Sequence, residues 1–202
     1  MRLFLAMDVE MKEDMTEFVQ ILENIPGLKI TERKNMHLTI KFIGEADKEK
    51  TNNIDNIMKN YVKNMILNDT YTVPERIPLK SAGIFYRKNK PSIIWVGTDD
   101  EIIKNIIFDI NSKLESICNG SEFNNNKSNN ENNNRNKIKP HVTVARIKSI
   151  KAPIKKIKQT VKSWNNSNFG YVISNKIILY KSTLFESGPI YEKLSVYKFK
   201  MN

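Results

Sequence analysis

The two histidines of this chain open the same four-residue frame, His37-Leu38-Thr39-Ile40 and His141-Val142-Thr143-Val144. At ordinary composition, an apolar–Thr–apolar sequel to one histidine arises by chance about once in a hundred. A second copy is rarer by a similar factor. Alternation of this kind describes a strand buried on one face. His and Thr then share the open face, roughly 6.6 Å apart along the strand, and the apolar residues point to a core. This constrains the fold, because each strand needs a core on one side and open space on the other. Two such strands can bring two imidazoles and two hydroxyls to one cleft. That set suits acid–base attack on a phosphate ester.

The remaining pattern supplies elements around these strands. Residues 1–9 alternate, with Leu3, Leu5, Met7 and Val9 against Arg2, Ala6 and Asp8, and read as a strand. Met15, Phe18, Leu22 and Ile25 recur at helical spacing until Pro26-Gly27 stops the run. Residues 28–31 are extended, 36–43 form the first histidine strand, and 46–67 form an amphipathic helix. Residues 71–85 are extended but broken by Pro74 and Pro78, which places part of them at a sheet edge. Residues 92–97 read as a buried strand. Residues 99–117 form the clearest helix, with Asp99 or Asp100 as its N-cap. The second histidine strand spans 138–147, a Lys-rich helix 153–164, and three strands close the chain at 170–174, 176–184 and 191–199. The His-x-Thr strand thus occurs once in each half. Element order therefore implies a duplication about a pseudo-two-fold axis, with one domain of two lobes over residues 1–202.

Residues 119–136 contain ten Asn among eighteen positions and almost nothing apolar. Such a segment cannot bury enough surface to offset the entropy of ordering it, so it reads as a low-complexity insertion. Its deletion is expected to leave turnover unchanged.

A chain of 202 residues, 40% apolar and 27% charged, can bury one sizeable core. The single Cys118 rules out an intramolecular disulfide and fits a reducing compartment. The N-terminus is too short and too acidic for a signal peptide, and no apolar stretch is long enough for a bilayer. A cytoplasmic protein without membrane partners is expected. The net charge of +11 favours polyanions. Lys148, Lys151, Lys155, Lys156, Lys158 and Lys162 concentrate part of it, either as a solvated helix face or as an RNA contact.

Imidazole titrates nearest neutrality, so one histidine can donate a proton while the other accepts one. A cyclic phosphodiester uses that pair, one histidine activating water and the other protonating the departing ribose oxygen. Thr39 and Thr143 can hydrogen-bond the non-bridging oxygens, and Arg146 can add a charge-assisted contact. In a regular strand, however, Arg146 has the opposite face parity to His141, so a bulge or strand end must turn it into the cleft. Two His, with no Cys, Asp or Glu at ligand spacing, make a poor metal site. The seven glycines form no phosphate loop. Phe42, Phe85, Tyr86 and Trp95 read mostly as core, with room for one to stack on a base at the cleft mouth. A non-catalytic basic RNA-binding module is the rival reading, and a third is the same chemistry on a 2′-5′ oligoadenylate or an ADP-ribose cyclic phosphate.

Paired histidine frames about a hundred residues apart resemble the signature of the 2H phosphoesterase superfamily. The segments 2–8 (RLFLAMD), 35–44 (NMHLTIKFIG), 91–97 (PSIIWVG), 139–146 (KPHVTVAR), 179–182 (LYKS) and 188–191 (GPIY) resemble its RNA 2′,3′-cyclic phosphodiesterase branch, also named the 2′-5′ RNA ligase family. The resemblance covers nearly the whole chain except 119–136. It implies a bilobal α+β fold of duplicated β-α-β units, two antiparallel sheets flanking a central cleft, and helices on the outer faces. It implies metal-independent, cofactor-free opening of an RNA 2′,3′-cyclic phosphate to a 2′-phosphate, with reversible 2′-5′ ligation as a secondary activity. His37 would be the general acid toward the 3′ oxygen and His141 the general base, with Thr39, Thr143 and Arg146 binding the phosphate. The partners implied are RNA ends bearing cyclic phosphates, tRNA fragments among them, met by a monomer.

Overall fold

The computed structural model describes residues 1–67, 72–118, 135, 137–149, 151–186 and 188–199. The insertion inferred at 119–136 lies outside these residues except for Arg135. Ten strands, four α-helices and a single 3₁₀ turn are described, all strand pairs being antiparallel.

The first half runs β1 (Arg2–Met11), α1 (Glu13–Glu23), β2 (Leu28–Ile30), the 3₁₀ turn Arg33–Asn35, β3 (His37–Glu45) and α2 (Lys48–Leu67). After β4 (Arg76–Leu79) and β5 (Ser81–Arg87) the pattern returns as β6 (Lys90–Gly97), α3 (Glu101–Lys113), β7 (His141–Ile147) and α4 (Ile154–Ser163). Strands β8 (Gly170–Ile173), β9 (Lys176–Phe185) and β10 (Gly188–Lys198) complete the fold. The sheet order is β10-β9-β1-β3-β7-β6-β5, with β2 beside β7, and with β8 bridging β4 to the end of β1. Order about the centre is therefore mirrored: β9-β1-β3 on one side, β5-β6-β7 on the other. The expected duplication is visible in this arrangement.

The two halves of the sheet meet at one residue pair, Leu38 with Val142. Beyond it the strands separate, and β2 takes over the vacated edge of β7 from Ala145 to Ile147.

Helix formation follows the apolar spacing. Met15, Phe18, Val19 and Leu22 bury the inner face of α1, and Ile54, Met58, Tyr61, Val62 and Met65 that of α2. Asp100 caps α3, its carboxylate accepting from the Ile103 amide at 3.1 Å, as the sequence suggested for Asp99 or Asp100. Only Ile157 and Val161 of α4 are buried, and its lysines lie on the outer side. Gly27 ends the first helical unit at φ +86°, where an added Cβ would also crowd Ser149 and Ala152.

Strand β1 departs from simple alternation. Leu3, Leu5 and Met7 enter the main helix-covered core, whereas Phe4 and Ala6 form a second apolar cluster with Ile178 and Tyr180 on the opposite face. A strand at the middle of a sheet is covered on both sides, so its pattern reads as continuous burial. That second cluster is the floor beneath His37.

Candidate active site

Each histidine is fixed in the same way. The His37 Nδ1 lies 2.8 Å from the Asn35 carbonyl oxygen, and the His141 Nδ1 lies 2.7 Å from that of Lys139. A carbonyl can only accept, so Nδ1 carries the hydrogen in both rings. The Nε2 lone pair of each neutral imidazole is left for chemistry.

The single β3–β7 pairing explains how the two frames converge. In antiparallel register, Leu38 opposite Val142 places the His37 side of one frame toward Thr143, and Thr39 toward His141. Leu38 and Val142 are fully buried on the core side, whereas His37, Thr39, His141 and Thr143 share the other face and are half-buried. The two imidazoles sense each other, since charge on His141 lowers the proton affinity of His37. Neither threonine hydroxyl has a hydrogen-bond partner among the described residues, so both are free to meet a ligand.

Arg146 reaches the same face by the bulge its parity required. Ile94 pairs with Ala145 and Trp95 with Thr143, leaving Val144 unmatched. Val144 and Ala145 are consequently both buried, and Arg146 emerges on the histidine side. Its charge acts on both His141 and Tyr191. The other lobe repeats the device. Leu5 pairs with Lys41 and Ala6 with Thr39, leaving Ile40 unmatched. Ile40 and Lys41 are both buried, and Phe42 emerges at the position equivalent to Arg146, 62% exposed. Phe42 and Tyr86, taken from sequence as mostly core, are both exposed, because the bulge parity of β3 and the hairpin geometry of β5–β6 are not written in local pattern.

The walls of the two lobes differ. His37 packs on Phe4 (centroids 4.8 Å) and meets the edge of Tyr191 (5.3 Å). His141 packs edge-on to Phe85 (4.7 Å) and near Trp95 (6.5 Å). Trp95 occupies space left by glycine, since a Cβ at Gly83 would collide with its ring. Behind His37, at its β1 register partner, stands Asp8. Its carboxylate accepts from the Tyr180 hydroxyl at 2.7 Å and from the Lys176 and Lys193 ammonium groups at 3.1 and 3.2 Å. The equivalent partner of His141 is Gly97. Asp8 was not singled out from the sequence, although an acid directly after the apolar run at residues 3–7 was the available signal.

Burial dominates the titration of both rings. It pushes His37 down to about 4, with His141 adding to the effect and the Asn35 carbonyl and negative Asp8 opposing it. Burial likewise lowers His141, helped by Arg146 and opposed by the Lys139 carbonyl. Burial works to raise Asp8, but the Tyr180, Lys176 and Lys193 hydrogen bonds outweigh it and hold the carboxyl below its ordinary value. Among the described residues no three His, Cys, Asp or Glu side chains gather to hold a metal ion.

A duplicated α+β fold with one histidine strand from each half at its central seam is the architecture of a two-histidine phosphoesterase. The family model described as the AKAP7 2′5′ RNA ligase-like domain matches residues 6–199. The chain belongs to this family, within the 2H phosphoesterases. It is 34% identical over 194 residues to a Methanocaldococcus jannaschii protein named RNA 2′,3′-cyclic phosphodiesterase, covering 95% of this chain and 97% of that one. A protein of the same name from Archaeoglobus fulgidus is 27% identical over 201 residues, covering 98% and 100%. In fold it matches Escherichia coli LigT in its apo form (TM-score 0.63, 18% identity, 99% and 98% covered). It also matches TT0787 of Thermus thermophilus (TM-score 0.65, 19% identity, 100% and 99% covered).

Proposed function

We propose that this protein hydrolyses RNA 2′,3′-cyclic phosphates to 2′-phosphates with His141 as general base and His37 as general acid. The observation that carries this reading is the pair of Nδ1-tethered imidazoles on one open face at the β3–β7 seam. The His141 Nε2 takes a proton from water as the water oxygen bonds to phosphorus. The P–O3′ bond breaks, and the His37 Nε2–H delivers a proton to O3′. Thr39 and Thr143 hydrogen-bond the non-bridging oxygens, and the Arg146 guanidinium balances their growing charge.

Unequal neighbours support this division of roles. Negative Asp8 favours the protonated ring at His37, and positive Arg146 favours the neutral ring at His141. Burial leaves both rings neutral near pH 7 in the empty cleft. An anionic phosphate entering the cleft raises the proton affinity of both, and at His37 it adds to Asp8 in opposing the effect of burial. Protons and charge are thus handled by this chain's own residues, and turnover is expected to persist in EDTA.

The same pair serves 2′-5′ ligation when a ribose hydroxyl replaces water. A monomer acting in the cytoplasm on RNA ends, those of tRNA fragments included, completes the reading. In support, no helix among the described residues is long and apolar enough to cross a membrane, and the chain has one cysteine.

The test is hydrolysis of 2′,3′-cyclic AMP by wild type, His37→Ala and His141→Ala, with the product isomer identified by phosphorus NMR. Each variant is expected to lose about 10²–10⁴ in kcat while keeping its circular dichroism. Near-normal turnover in either variant would overturn the assignment. Binding of RNA without turnover by wild type would favour the non-catalytic module.

A further inference from the structure

We propose that Lys29, Arg87, Lys88 and Lys90 form a track that holds the backbone phosphates of single-stranded RNA behind its cyclic end, so that the substrate is a polynucleotide. The proposal rests on the hydrolytic reading above for the position of that end.

Strand register sets the course of the track. Lys29 on β2 is the direct partner of Arg146 on β7, so both project from the same face, and both are exposed. On the other side of β7, Ile93 of β6 partners Arg146. Strand β6 runs antiparallel to β7, so stepping back from Ile93 to Lys90 continues away from His141 and past Arg146. There Lys90 pairs with Arg87, and the two-residue turn Lys88-Asn89 closes the hairpin at φ +48° and +60°. Arg87, Lys88, Asn89 and Lys90 are all exposed. At about 3.3 Å per residue, the path from His141 to the hairpin is roughly 25 Å. That outreaches a single nucleotide seated on the two histidines.

Charge points to a polyanion along this path. Between 76 and 98 there are five Lys or Arg and no Asp or Glu, and between 137 and 185 eleven and none. Residues 1–67 instead carry ten basic and eleven acidic side chains. None of the four track residues, nor Arg146, has a carboxylate within ion-pair distance among the described residues, whereas Arg2, Lys34, Lys59, Arg76, Lys104, Lys176, Lys181 and Lys193 each have one. Unpaired cations beside Arg146 and at the hairpin end can neutralise successive phosphates of one backbone, and such contacts read no sequence. The occupant is therefore single-stranded RNA held without base specificity.

The experiment compares wild type with a Lys29→Gln, Arg87→Gln, Lys88→Gln, Lys90→Gln variant. The substrates are 2′,3′-cyclic AMP and a short oligoribonucleotide ending in a 2′,3′-cyclic phosphate, across a KCl series. KM for the oligonucleotide should rise at least about tenfold with kcat unchanged, and the cyclic AMP parameters should not move. Its salt dependence on log–log axes should flatten by about 3, at roughly 0.7 for each phosphate left without a cation. An unchanged oligonucleotide KM, or an equal loss on both substrates, would overturn the track. So would an equal loss in a control variant neutralising Lys155, Lys156 and Lys162 on α4. Wild type that turns over neither substrate would instead remove the hydrolytic reading. Fluorescence anisotropy with labelled RNA ending in a 2′-phosphate still decides the track in that case, equal affinities of wild type and variant overturning it.

Discussion

Asp8 gives the two imidazoles unequal surroundings, and substitution there measures the inequality. Asp8→Asn removes the negative charge beside His37 and lowers its affinity for the proton that the proposed mechanism has it deliver. A loss of about tenfold in kcat is expected on cyclic AMP, the equivalent of one pKa unit. A substrate whose leaving group departs without a proton should show little loss. His37→Ala should be rescued by that substrate, and His141→Ala should not. Because burial lowers both rings, both limbs of the kcat/KM profile should lie below pH 6.5, with those of kcat displaced upward by the bound phosphate. Stability has a defined sign as well. The folded His37 titrates near 4 and the unfolded one near 6.5, so the unfolded chain binds more protons between these values. Its contribution, about 3 kcal/mol, is complete above pH 6.5 and is lost as pH falls toward 4. In thermal melts across pH 7 to 4, wild type should lose stability relative to His37→Gln, which has no ring to protonate. Parallel curves would disprove the linkage.

At the scale of elements, two bulges and one hairpin control which side chains face the cleft. Alternation made β3 and β7 legible in the sequence, and helical spacing made α1 to α4 legible within a few residues. The bulges at Ile40 and Val144 were not legible, because an unmatched residue is defined by its partner strand. Only the parity conflict of Arg146 announced that one was needed. Asp8 was hidden for the same reason, since its place behind His37 depends on the β1–β3 register. The β5–β6 turn offers a test of stability against binding. Lys88 and Asn89 both have positive φ, which costs a residue other than glycine about 1 kcal/mol. Lys88→Gly should raise Tm by roughly 2–4 °C, while weakening binding to RNA. A lower Tm would show that the lysine side chain stabilises the turn by contacts that outweigh its backbone.

Across the whole molecule, the mirrored sheet order makes the lobes equivalent in architecture and leaves them unequal in charge and at one backbone position. The duplication was legible because the frame repeats, whereas the path of the seam was not. Leu38 and Val142 are the sole register pair between β3 and β7. Leu38→Ala removes a fully buried side chain from that junction and should cost about 2–5 kcal/mol in chemical denaturation. A loss under about 1 kcal/mol would mean that the halves are held together elsewhere.

Gly97 stands where the second lobe would need its own version of Asp8, and a Cβ there would strike the carbonyl oxygen of Pro140. The second lobe is thus barred from acquiring a carboxylate behind its imidazole, whatever residue is substituted. Under the proposed roles, this steric veto keeps the anionic companion on the acid's side alone, so the two copies of a repeated frame stay chemically distinct.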